Sequence, residues 1–487
     1  MSRSGIADVA AEQADSWHES ARSRLRSASP RPGGSRELLT LALPLIVSQG
    51  FMTVQVFVDT ILLAWHDTRE MAASFPAVMW FWLLFGFLQV TAGYVSTFVA
   101  QYTGAGRPER VGPAVWQGIH FAALAGLLFL LMIPATPFLI AIGGHTPALQ
   151  ALEVIYLRCL CFAALPMLVM AAVNGFFSGR GQTWTVLAIE AAGTSVNVAL
   201  ALVLIFGRAG FPELGIAGAG WATVAGSCTS ALLALGLLFR PKYCEEFGTL
   251  RGWRLERELF GRLMKYGGPA GAQVFLDVLV FNVFVQLVGR LGEAATGATT
   301  LTVRMNMVAF LPMMGLGQAV SILVGQRLGA DRPDLAERSA YTGLKWVFAY
   351  MSGVAAVYLL IPGMLVAAFQ GDRDPERFAA LAAIVPTLLA CVAVYSLADS
   401  VNVTFSFALR GAGDTRYVSL LTFALAWPIM VVPTFVVVRA GGSIYAAWAF
   451  ATAYIIAMAA CFFLRFRTGK WKSMRVIEAA TAGSIEG

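Results

Sequence analysis

Two stretches of this chain decide its reading: VAQYTGAGRPE, Val99 to Glu109, and VGQRLGADRPD, Val324 to Asp334. Six of their eleven positions are identical, and 225 residues separate them. The same offset sets Pro44 opposite Pro269 and Ser96 opposite Ser321. Further on, SGRGQT (Ser178 to Thr183) faces RGAGDT (Arg410 to Thr415) at an offset of 232. Each loop alone reads as a good turn, since glycine permits tight backbone and Arg-Pro opens a polar segment. Two copies at matched places call for duplication of a larger unit.

The unit is a membrane bundle. Apolar residues make up 58% of the 487, charged ones only 13%, and the charges cluster between apolar stretches of roughly 20 to 30 residues. Such stretches cross a hydrocarbon core as helices, because lipid offers no partner for free backbone polar groups. Twelve are expected, at about 38–65, 76–100, 114–139, 154–177, 184–207, 216–239, 266–290, 298–325, 342–368, 380–408, 417–438 and 443–465. The fold class is therefore all-α integral membrane, with twelve transmembrane helices in two six-helix pseudo-symmetric lobes. Six crossings return the chain to its starting side, so the two copies form a parallel repeat about an axis along the membrane normal.

The expected organisation is a disordered cytoplasmic tail at 1–35, an N-terminal lobe at 36–240, a cytoplasmic inter-lobe linker at 241–264, a C-terminal lobe at 265–466 and a cytoplasmic tail at 467–487. The leader holds Arg22, Arg24, Arg26 and Arg31 but no apolar run, which excludes a cleaved signal peptide. With both termini inside, 27 of the 35 Lys and Arg fall on cytoplasmic segments and 7 outside, the sense the positive-inside rule requires. The net charge of +7 is thus a topology signal suited to anionic lipid headgroups, and it needs no nucleic acid. The six cysteines read as separate buried thiols, and the four histidines make no metal-ligand spacing. No phosphate-binding loop or cofactor motif is present, and no catalytic set is expected.

Charges inside the apolar spans carry the functional reading. Asp59, Asp277 and Asp399 lie inside apolar spans, the last two near mid-membrane, where an ionisable group costs at least about 2.5 kcal/mol on insertion scales. Tyr395, Asp399, Asn402 and Ser406 form one stripe on the tenth helix; Ser48, Gln55 and Asp59 share a face of the first; Gln273 precedes Asp277 by one turn. Two nearby carboxylates hold either a proton or a hard cation with oxygen ligands. Arg304, on the eighth helix, is read as their counter-ion, as an attractor of an anionic substrate group, or as a purely structural partner. Glu190 reads as interfacial. Glycines and prolines beside the acids (Pro44, Gly50, Gly267, Pro269, Gly271, Pro312) are expected to interrupt the helices there.

VDT at Val58 to Thr60, VAQYTGAG, LIFG at Leu204 to Gly207, VGQRLGA and ALRGAGDT at Ala408 to Thr415 together resemble the multidrug and toxic compound extrusion (MATE) family, over residues 36 to 466. The resemblance implies a V-shaped pair of lobes at the bacterial inner (plasma) membrane, multi-pass and acting as a monomer. It implies export of amphipathic, often cationic, small organic molecules by antiport with Na+ or H+, with no other cofactor and membrane lipids as surroundings. In the NorM-like branch the coupling-ion site matches Asp277, Asp399, Tyr395 and, as a further oxygen ligand, Asn402. Asp277 and Asp399 would hold Na+ if coupling is to sodium. Asp59, with Gln55, Gln273 and Arg304, is assigned to substrate or protonation. The DinF-like branch uses a fifth-helix aspartate where this chain has Ala201. Glutamate is common at the place of Asp277, and Arg304 is unusual. The alternative function is a flippase for a lipid-linked or polyisoprenoid precursor.

Overall fold

The structure, a computed structural model, describes residues 33–367 and 375–478, with side chains from 382 onward in the second stretch. The expected leader therefore lies almost wholly outside the described residues.

Among the described residues, twelve helices are long and apolar enough to cross a membrane. They are α1 (Ser35–His66), α2 (Thr68–Gly104), α3 (Pro108–Ala141), α4 (Pro147–Gly179), α5 (Thr183–Leu204), α6 (Ile216–Leu238), α7 (Arg257–Gly289), α8 (Glu293–Gly329), α9 (Pro333–Leu360), α10 (Ala382–Ala412), α11 (Thr415–Arg439) and α12 (Ile444–Arg467). Several outrun their apolar cores, since a helix continues into water wherever caps and polar side chains support it. α7, for instance, begins at Arg257, inside the stretch expected to be linker.

The prolines and glycines beside the acids do not break the helices. α1 runs unbroken through Pro44 and Gly50, α7 through Pro269 and α8 through Pro312. The irregularities fall elsewhere: a turn at Tyr94 divides α2, and a π-helical stretch, Ala426–Val431, lies within α11. Some of the glycines serve contact instead. A Cβ on Gly271 would stand 2.3 Å from the Phe87 carbonyl oxygen, and one on Gly315 would stand 2.6 Å from Ile46. All six cysteines are free.

The cores cross over. Leu38, Leu41, Ala42 and Leu45, on the first half of α1, belong to the apolar core of α8, α9, α10 and α12. Leu259, Leu263 and Ala270, on the first half of α7, belong to the core built by α2 to α6. Each lobe thus plants the start of its first helix in the other. The second half of α1 returns to its own lobe through Leu62 and Leu63, after a run from Gln49 to Val58 without a buried side chain.

Candidate functional site

The lobes mesh at the end of the molecule that carries the first and last described residues, and the two repeated stretches do the meshing; read as loops from the sequence, they are helical as far as Gly104 and Gly329. Gln101 Nε2 donates to the Gly411 carbonyl of α10 (3.0 Å), while Gln326 Nε2 donates to the Gly179 carbonyl of α4 (2.8 Å). These are the same bond made twice, because Gln101 and Gln326 occupy one position of the first repeat and Gly179 and Gly411 one position of the second. The backbones touch with the same symmetry. A Cβ on Gly104 would fall 1.9 Å from the Gln326 oxygen, and one on Gly329 would fall 2.0 Å from the Gln101 oxygen. Only glycine lets α2 and α8 approach this closely.

The chain's last described residues cover this seam. Trp471 and Val476 are buried, and the Val476 N–H donates to Gln101 Oε1 (2.9 Å). Glu478 accepts from Tyr102 Oη and Arg107 Nη2 (both 2.7 Å), Arg110 Nε (3.1 Å) and, on the first half of α7, Arg262 Nη1 (3.2 Å). Burial pushes the Glu478 carboxyl up, but the Tyr102 hydroxyl and the arginines outweigh it and hold the group below the usual carboxylate range. The C-terminal segment is therefore a folded strap across both lobes.

Away from the seam, the C-terminal lobe gathers Asp277, Asp399, Gln273, Tyr395 and Asn402. Asn402 Nδ2 donates to Asp399 Oδ1 (2.8 Å), and Asn306 Nδ2 donates to Tyr395 Oη (3.1 Å). Asp277 lies within electrostatic reach of Asp399 and Arg410, and Tyr454 of α12 is within reach of both carboxylates. Asp399 is buried, whereas Asp277 is exposed. The cation here is Arg410, whose Nε and Nη2 both donate to Gln273 Oε1 (3.0 and 2.7 Å). Arg304 is exposed and makes no ion pair among the described residues, so its reading as partner of the acids gives way to Arg410. An arginine at the inner end of α10 reaches inward because its side chain is long and its head is held by Gln273.

Asp59 stands apart, buried in the N-terminal lobe one turn after the half-buried Gln55. Its Oδ1 has no partner, and neither has Asn197 Oδ1 of α5, whose amide donates to Thr223 Oγ1 (3.3 Å); Tyr156 of α4 closes the group. Two orphaned buried oxygens fit a proton or a small cation, which would satisfy both.

The MatE family signature matches residues 44–203 and 269–436. The chain belongs to the MatE family. Solved structures share its fold. A multidrug resistance MATE family transporter in an outward-facing conformation superposes with a TM-score of 0.83 at 18% identity, covering 91% of this chain and 98% of that one. A MATE in the bent conformation gives 0.80 at 20% identity, covering 90% and 96%. A MOP superfamily transporter from Pyrococcus furiosus, described as having a binding pocket of reverse polarity, gives 0.81 at 18%, covering 91% and 98%. This MatE chain is thus a multi-pass membrane protein with the two-lobed transporter fold. Sequence reasoning missed Asn197, Thr223, Tyr156, Asn306 and Tyr454, all neutral polar residues scattered over apolar helices. Their signal was weak: only helical register against a known acid could have raised them.

Proposed function

We propose that this MatE protein is a secondary active exporter, moving amphipathic, often cationic, organic compounds outward as Na+ or H+ moves inward. It stands in the bacterial inner membrane with the seam and both termini on the cytoplasmic side. The observation that carries this reading is the pairing of a closed, two-fold symmetric seam at one end with intramembrane carboxylates in both lobes. Asp277 and Asp399 hold the coupling ion with Tyr395 and Asn402 beside them, and Asp59 takes a proton or a substrate cation in the other lobe. Alternating access follows if binding at the carboxylates biases the seam between closed and open.

The flippase reading keeps one observation in its favour, the exposed Arg304 guanidinium on α8, which suits a phosphate. Proteoliposomes decide between them. Under an imposed proton or sodium gradient, export of a fluorescent organic cation is expected from wild type and is expected to vanish in Asp277→Asn and Asp399→Asn. Gradient-independent movement of a polyisoprenoid phosphate, lost in Arg304→Gln, would establish the flippase instead.

A further inference from the structure

Glu190, read from the sequence as interfacial, is a half-buried residue of α5 that α1 and α4 both reach. Its Oε2 accepts from Ser48 Oγ of α1 (2.6 Å), and its Oε1 accepts from Asn174 Nδ2 of α4 (3.2 Å). Among the described residues it has no ion pair with a Lys, Arg or His within 4.0 Å. The charged groups on the helices packed around α5 are otherwise engaged or distant. Glu37 of α1 pairs with Arg327, and Glu153 of α4 pairs with His145. Arg158 of α4 donates to Thr136, and Arg180, just past α4, is enclosed by Phe176, Tyr243 and Phe247. Asp59 is 11 residues beyond Ser48 along α1, about 16 Å. α6 carries no charge, only the thiol of Cys228. Glu190 is an intramembrane carboxylate held by two neutral donors and neutralised by nothing.

We infer that Glu190 is a proton-binding site, distinct from the carboxylates assigned above, placed where α1 passes from one lobe to the other. The hydrogen-bond inventory points to a proton. With Glu190 ionised, Asn174 spends its amide N–H on Oε1 and its own Oδ1 is buried without a partner. A proton on Glu190 Oε2 can be donated to Ser48 Oγ at 2.6 Å, since a hydroxyl oxygen accepts as well as donates, while Asn174 Nδ2 keeps Oε1, so both hydrogen bonds survive the loss of charge. Three side chains supply too few oxygens for the six to eight that a hard cation such as calcium takes.

The site also has leverage. Ser48 is where α1 leaves the opposite lobe's core, after Leu45, and a Cβ on Gly50 just beyond it would meet nothing within 4 Å. The Ser48–Glu190 bond therefore ties α1 to its own lobe at the changeover. Protonation replaces a charge-assisted bond with a neutral one of roughly half the strength, loosening α1 at that point. This deepens the exporter reading by adding a proton to the lobe opposite Asp277, but its test needs no transport.

The test is proton uptake by the purified protein in detergent, titrated from about pH 8 to about pH 5, a window above the ordinary carboxylate range. Glu190→Gln is expected to take up about one proton fewer per chain than wild type, a loss additive with that of an Asp277→Asn, Asp399→Asn double variant. Glu190→Asp, which keeps a carboxyl, is expected to restore most of it and controls for folding. Equal uptake by wild type and Glu190→Gln would overturn the inference. So would a proton released by added sodium from wild type but not from Glu190→Gln, which would make this a metal-cation site.

Discussion

At the scale of single residues, two glycines carry more constraint than most charges. A Cβ on Gly104 or Gly329 would overlap a backbone oxygen at 1.9 or 2.0 Å, and neither backbone can yield without parting α2 from α8. Gly104→Ala and Gly329→Ala are each expected to cut export about tenfold or more while leaving the protein membrane-inserted. Gly261→Ala, a helical position with nothing within 4 Å, is expected to be neutral or stabilising by about 0.5–1 kcal/mol. Export rates of the three variants, normalised to protein in the vesicle, check this. Such demands were half legible in the sequence. The glycines stood out within the repeated loops, but nothing in a loop says that the surface it presses on is the other copy's backbone. The same limit explains Arg304 and Arg410. Both could be found as charges, but which one reaches the carboxylates depends on a contact between α7 and α10 that no local pattern encodes.

Elements show a different balance. All twelve spans were legible, because a helix long enough to cross lipid must be apolar over about 20 residues. Their interruption at Pro44, Pro269 and Pro312 was not, since a proline bends a helix without ending it where neighbouring helices hold both halves. The crossover of α1 and α7 was likewise hidden, for apolar side chains do not reveal which core receives them. The strap from Met474 to Glu478 is a further element, read as tail because it is too short to span a membrane. Since Glu478 is held below its ordinary range, its contribution is complete above the unfolded value and is lost as pH falls through the lower folded one. Seam opening, followed by a fluorophore beside Tyr102, is therefore expected to increase only below about pH 4.3, the ordinary glutamate value. Glu478→Gln is expected to show the increased opening already at neutral pH and to lose the pH response.

For the whole molecule, the account rests on the two repeated loops being a gate rather than two turns. Removing one crossing glutamine leaves a buried carbonyl unsatisfied, at about 1–3 kcal/mol. Gln101→Ala and Gln326→Ala are thus each expected to shift the seam about 5- to 150-fold toward open. The Gln101→Ala effect is expected to be the larger, because that variant also strands the Val476 N–H of the strap. The most direct measurement locks the seam covalently. A Cβ on Gly325 would lie 3.1 Å from the Ala100 Cβ, close to disulfide range. In a background lacking the six native cysteines, an Ala100→Cys, Gly325→Cys pair should cross-link on mild oxidation. Export should then stop, and reduction should restore it to the level of the single variants. Undiminished export by the fully cross-linked protein would contradict the account, because the lobes would then be moving substrate without parting at this seam.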